Sequence, residues 1–175
     1  MQALEFRTER LRMVAATEEL LRLELEAPSA FAEHLHAALP EDWPPGEWDR
    51  GAIQFFLEQM IAGGDSAAGW YGWYLLLDAQ ENNSILAGCG GYFGPPDEAG
   101  QVEIGYSLCA QWRGQGLAKE AIGALVENAW RRGAQTIVAH TDPQNTASLG
   151  VLRACGFQQR PDDSSLLLLF SIGRA

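Results

Sequence analysis

Between a strand-like run, Gln101 to Leu108, and a long amphipathic helix lies the stretch Gln111-Trp112-Arg113-Gly114-Gln115-Gly116-Leu117-Ala118. The helix repeats Leu117, Ala118, Ala121, Ile122, Leu125, Val126, Ala129 and Trp130 at steps of three and four, the period of one buried helical face. A strand that turns into a helix within a few residues leaves the first helical amides unpartnered, at the positive end of the macrodipole. Gly114 and Gly116 have no side chains, so a ligand can come close to the backbone. Two readings follow: an anion site, most naturally for phosphates, or a tight turn and nothing more.

The rest of the chain builds a mixed α/β pattern around this turn. Leu4 to Ala15 alternates as a strand. Thr17 opens a helix to about Glu26, and Pro28-Ser29 opens another through Leu39. Pro40 to Trp48 is a break rich in proline and tryptophan, and Asp49 caps a helix striped by Ile53, Phe56, Leu57, Met60 and Ile61. Gly63-Gly64 stops that helix. Trp70 to Leu77, Ser84 to Phe93 and Gln101 to Leu108 read as three strands of an antiparallel meander, with turns at Asp78 to Asn83 and Gly94 to Gly100. Thr136 to His140 follows the long helix, so strand, helix and strand form a βαβ crossover. Asn145 to Ala154 is a helix ended by Gly156. Phe157 to Gln159 and Ser165 to Ile172 close a hairpin, with Leu166 to Phe170 as a buried strand. The expected fold is an α/β, mostly antiparallel twisted sheet flanked by helices, with one parallel crossover.

Length and charge narrow the function. At 175 residues and 47% hydrophobic, residues 1–175 make one domain with a sizeable core. A net charge of −11 argues against general binding to nucleic acid, where Lys and Arg meet phosphates. No apolar run approaches a membrane span of about 18 residues, and Glu5, Arg7, Glu9, Arg10 and Arg12 interrupt any leader-like stretch. Cys89, Cys109 and Cys155 lack metal-like spacing and read as free thiols in a reducing cytoplasm. His34 and His36 lie two apart, on nearly opposite sides of a helix, which argues against a metal pair. No metal is expected.

The glycine turn fails the nucleotide motifs. G-x-x-x-x-G-K-[ST] is absent, and G-x-G-x-x-G ends on Lys119. It resembles instead the acyl-CoA signature of the GNAT (GCN5-related N-acetyltransferase) superfamily, Gln or Arg, two residues, Gly, one residue, Gly or Ala, here Arg113, Gly116 and Ala118. The likeness extends over Val102-Glu103-Ile104-Gly105-Tyr106, Asn145 and Gly156-Phe157, and more weakly over Thr8 to Arg12 and Gly88 to Gly91. Asn145-Thr146-Ala147-Ser148 and Leu152 resemble the ribosomal-protein N-terminal-acetyltransferase-like branch.

The resemblance implies acetyl-CoA as co-substrate and a primary amine, a protein N-terminus or a small molecule, as acceptor. Amides of Arg113, Gly114, Gln115, Gly116, Leu117 and Ala118 would hold the pyrophosphate. Main chain at Tyr106 and Leu108 would pair with the pantetheine arm like an added strand, where the two parallel strands splay. Asn145 would bind the same arm, cap its helix, or do both. Glu103 is the base candidate, or else it ties down a loop. Many relatives place a phenol seven residues after the Asn. Leu152 stands there, so Ser148 is the substitute donor to the CoA sulfur, or a helix residue satisfied by backbone. Trp43 and Trp48 wall the acceptor pocket or cover the core edge. His140 reads as structural. The partners expected are acetyl-CoA and an amine, with a homodimer admitted. A non-catalytic acyl-CoA-binding or sensing module is the alternative, kept open by the missing phenol.

Overall fold

Among the described residues, nine strands and five α-helices follow one another, most of them in the order that the periodicities predict. The computed structural model describes residues 4–78 and 83–175, so residues 79–82 of the expected turn at Asp78 to Asn83 lie outside the described residues. The strands are β1 (Glu5–Arg7), β2 (Leu11–Ala15), β3 (Ala37–Ala38), β4 (Gly72–Asp78), β5 (Ser84–Tyr92), β6 (Gln101–Leu108), β7 (Thr136–Thr141), β8 (Gln158–Arg160) and β9 (Leu168–Gly173). The helices are α1 (Glu18–Glu26), α2 (Pro28–Leu35), α3 (Arg50–Gly63), α4 (Leu117–Arg131) and α5 (Thr146–Ala154). The sheet order is β1-β2-β4-β5-β6-β7-β9-β8, with β3 paired to β5 off this path. Along the path only β6 and β7 run parallel among the described residues; the other neighbours are antiparallel. This is the mixed sheet with one crossover that the sequence implies, plus a two-residue parallel pairing of β3 with β5.

Local chemistry sets the helix ends. Thr17 accepts from the Leu20 amide at 3.1 Å to start α1, and Asp49 accepts from Ala52 at 2.9 Å to start α3; each satisfies a donor that the helix cannot. The helix predicted to reach Leu39 ends at Leu35. His36 takes a left-handed conformation, φ 49°, which stops the helix and releases Ala37 and Ala38 to pair with Ser84 and Ile85. The strand predicted from Leu4 to Ala15 is two strands, because the chain turns at Thr8, whose amide donates to Leu11. The leucine run is also corrected. Leu166 is 95% exposed, and the final strand begins at Leu168; an edge hairpin of three and six residues leaves too little neighbour to cover the run's start.

The core fills both faces of the sheet. On one face α4 lays down Leu117, Ala121, Ile122, Leu125 and Ala129, all buried, and the Tyr92 phenol donates to the Leu125 carbonyl at 2.5 Å. On the other face sit α1, α2, α3 and a knot around Glu24. Its Oε1 accepts from the Trp43 and Trp48 indoles, each at 3.0 Å, and its Oε2 accepts from the Tyr74 phenol at 2.7 Å. Burial pushes the Glu24 carboxyl up, and these three bonds partly offset the rise. The knot ties α1 to β4 and to the loop after β3. Glu24→Ala leaves three donors without an acceptor, so it is expected to cost about 2–3 kcal/mol. Thermal unfolding should show a Tm lower by roughly 5–10 °C; an unchanged Tm overturns the role.

Candidate active site

The site begins where the parallel pair comes apart. β6 and β7 pair only at Gln101↔Thr136, Val102↔Ile137 and Glu103↔Val138. Beyond Glu103, β6 stays with β5 as far as Gly88↔Leu108, while β7 stays with β9 as far as Thr141↔Leu168. Each strand follows its own half-sheet, so a gap opens between Ile104–Leu108 and the end of β7. The sheet twist accumulates in opposite halves of such a split. On the side of β6 facing the gap, the backbone N–H and C=O of Tyr106 and the N–H of Leu108 have no partner among the described residues, as at a strand edge, while the Leu108 carbonyl is taken by a side chain of the following turn.

The glycine turn stands at this gap. Gly114 and Gly116 adopt φ of +73° and +79°, the left-handed region that glycine enters without a Cβ penalty. Gly116 occupies the N-cap of α4 with no side-chain cap. The amides of residues 114–119 donate to no acceptor among the described residues. Six free donors at a helix N-terminus are an arrangement that an anion can meet. Arg113 does not point toward them; its Nε donates to the Leu108 carbonyl at 3.1 Å and so ties the turn to β6. The Gln115 side chain donates to the Gln111 carbonyl at 3.0 Å.

A cation, Arg10, stands beside these amides. Arg10 donates through Nη1 to the Gln115 carbonyl at 2.8 Å and through Nε to Glu120 at 2.7 Å. A Cβ on Gly116 would lie 3.4 Å from the Arg10 Nη2. Burial alone would raise the Glu120 carboxyl, but bonds from Thr8 and Arg10 more than offset this and hold it below its ordinary value. Thr8 to Arg12 carried part of the family likeness; its contact with the glycine turn, 105 residues away for Arg10 and Gln115, was not visible locally.

Across the gap, α5 brings two polar residues. Asn145 caps it, its side chain accepting from the Ser148 amide at 3.0 Å, which leaves the Asn145 NH₂ without an acceptor among the described residues. The Tyr106 phenol donates to Ser148 Oγ at 3.0 Å. A phenol is therefore present beside Ser148, supplied by β6, while Leu152 is buried in the core. Burial raises the Tyr106 pKa and the Ser148 bond partly offsets it, so the phenol keeps its proton as a donor. Cys109, just past β6, is pushed up to about 12 by burial, with Asp42 adding to the rise, so it stays a thiol.

Glu103 points to the face opposite Tyr106 and shares it with Gly105 and Ser107 through strand alternation. Its carboxylate is 40% exposed and lies 2.7 Å from His140 Nδ1; His140 Nε2 lies 3.9 Å from Asp162. Hydrogen bonds from Ser164 hold Asp162 below its ordinary value. Glu103 is thus partly exposed, and the imidazole of His140, read from the sequence as structural, is its immediate partner. The face continues into a cleft of about 210 Å³ between β5, β6, α3 and the loop before α3. Trp48 lines this cleft; Trp43 lines a separate hollow with Pro28, Phe31 and Arg50. Both indole N–H groups are engaged by Glu24, so each tryptophan has a structural bond whatever else it touches. Asp42 accepts from the Ala110 amide at 2.8 Å and clips this loop to the end of β6.

Comparison with known proteins supplies the context. A family model described as an acetyltransferase (GNAT) domain matches residues 20–158. An uncharacterized N-acetyltransferase, YjdG of Bacillus subtilis (strain 168), is 28% identical over 156 residues, 83% of this chain and 90% of that protein. A putative ribosomal-protein-serine acetyltransferase from Vibrio cholerae has a similar structure, with a TM-score of 0.65 at 18% identity, covering 99% of this chain and 100% of that one. RimL, a ribosomal L7/L12 alpha-N-protein acetyltransferase solved in complex with coenzyme A, gives a TM-score of 0.64 at 17% identity over 95% of both chains. Both structural likenesses speak for the fold.

Proposed function

Since this chain belongs to the acetyltransferase (GNAT) family, we propose that it moves the acetyl group of acetyl-CoA to a primary amine by direct attack in a ternary complex. The observation that carries the reading is the row of free amides at residues 114–119 beside the parting of β6 and β7. Those amides hold the pyrophosphate, with Arg10 as a nearby cation. The free edge of β6 at Tyr106 and Leu108 pairs with the pantetheine arm, and the Asn145 NH₂ reaches the same arm. The thioester then lies between Ser148 on one side and the Glu103 face on the other.

Glu103 takes the proton that the ammonium must lose, directly or through one water, and His140 orients its carboxylate. The amine nitrogen forms its bond to the carbonyl carbon, and a main-chain N–H of β6 steadies the oxyanion. As the carbon–sulfur bond breaks, the electron pair leaves with sulfur, and the second proton released by the attacking nitrogen ends on that thiolate, so the products are the amide and the free thiol of CoA. Ser148 accepts from Tyr106 and so has its own hydrogen to donate to that sulfur. Two structural neighbours, the putative ribosomal-protein-serine acetyltransferase and RimL, carry the names of ribosomal-protein acetyltransferases, which supports a protein N-terminus as one acceptor; a small amine is the other. A cytoplasmic setting agrees with three free thiols.

Thiol release from acetyl-CoA across an amine panel tests the function. Acetyl-CoA binding without turnover for any amine would instead favour an acyl-CoA-binding module, the reading that buried Leu152 supports. Ser148→Ala and Glu103→Gln are each expected to lower kcat by about 10–100-fold, with acetyl-CoA affinity within a few-fold of the parent. An unchanged rate in either variant removes the role given to that residue.

A further inference from the structure

The cleft beside Glu103 carries information about what the amine is attached to. A tilted chain of rings walls one side of it: Trp48 meets Phe56 with centroids 5.1 Å apart and planes 39° apart, and Phe56 meets Phe93 at 6.0 Å. Phe93 is 50% exposed, with one face turned to water in a chain that buries most of its aromatic residues. Gly105 leaves β6 without a side chain on this face. A Cβ on Gly105 would stand 2.9 Å from the Phe93 ring, so that ring lies across the bare strand. At about 210 Å³ the cleft is smaller than a drug-sized site of about 300 Å³ or more. No Lys or Arg lines the cleft; its one ionisable carboxylate is Glu47, and Glu103 stands one step along the same face of β6.

We propose that the acceptor of this site is a primary amine carried on one uncharged, flat group the size of an aromatic ring, with its ammonium turned toward Glu47 and Glu103. The inference rests on the acetyl-transfer reading and narrows it. The aromatic walls reward apolar contact and ring-on-ring packing, and their electron-rich faces attract an ammonium on approach. An acceptor bearing a carboxylate beside its amine meets Glu47 with no cation to offset it. A polyamine brings polar length that the walls cannot hydrogen-bond, a desolvation cost without return.

The test measures CoA release with 2-phenylethylamine, spermidine, and peptides beginning with serine or alanine. The expected result is a kcat/KM for 2-phenylethylamine at least tenfold above each of the others. Phe93→Ala and Glu47→Gln, both at exposed positions, each raise its KM about five- to tenfold, with acetyl-CoA Kd unchanged. The inference is overturned if a peptide or spermidine is the best acceptor, or if Phe93→Ala leaves KM unmoved; acetyl transfer itself then stands. Acetyl-CoA binding with no release for any amine overturns both together.

Discussion

Gly116→Val raises the Kd for acetyl-CoA by about 100-fold or more. Position 116 holds φ +79°, a conformation that costs an L-residue about 1–2 kcal/mol and a β-branched one more. The valine also hangs two methyl groups over amides that are otherwise free to meet a pyrophosphate, and it crowds Arg10 Nη2, 3.4 Å from the new Cβ. Losing two or three charge-assisted hydrogen bonds removes about 3 kcal/mol or more of binding, which is the 100-fold change. Calorimetry with acetyl-CoA reads the affinity, and thermal unfolding without ligand reads the strain. A large loss of affinity with a Tm shift of only a few degrees separates blocked amides from a broken helix. An affinity within threefold of the parent would sink the assignment of this turn to the pyrophosphate.

Gly91→Ala is expected to destabilise the protein by about 3 kcal/mol or more, while Gly123→Ala stabilises it by about 0.5–1 kcal/mol. The added methyl is the same in both. At Gly91, φ is +134° and the Cβ would stand 2.2 Å from the Tyr71 carbonyl oxygen, a backbone atom that cannot swing aside. The pairing of Gly72 with Gly91, where β4 meets β5, has to open to admit it. At Gly123, in the middle of α4, nothing stands within 4 Å of the new atom, and the helix gains from the lost freedom of the unfolded chain. Paired chemical denaturation curves give both signs in one experiment. Equal effects at the two sites would contradict the packing described for the sheet.

What the sequence disclosed was mostly local. The strand, glycine turn and helix at 101–131 were legible because the period of two gives way to a period of 3.6 across two glycines. Asp49 and Thr17 were legible as caps for the same reason. Contacts spanning many residues were not. Nothing near Trp43 or Trp48 points to Glu24, and nothing near Tyr106 points to Ser148, 42 residues on. The first pair depends on how α1 and the loop before α3 pack over β4, the second on how the sheet parts after Glu103, and neither is a property of any one segment. Glu103 itself was found through its likeness to a family. Its partner His140 was legible only as a polar residue at a strand end, because an imidazole on an exposed face has many bland uses. The leucines at 166–167 were misread because hydrophobicity alone does not say whether a neighbour exists to cover a strand.

The parting of β6 and β7 has a further meaning for the molecule in concentrated solution. A sheet guards its two outer borders by keeping them short or charged, and here β1 and β8 are three residues each. The split opens a third border in the interior, along Ile104–Leu108, with no charged side chain in that stretch to discourage a visiting strand. Backbone donors and acceptors in such a row accept any extended guest, including a segment of another chain. A pantetheine arm lying there closes the border. Keeping the protein soluble and supplying it with its acyl donor are, for this fold, partly the same task.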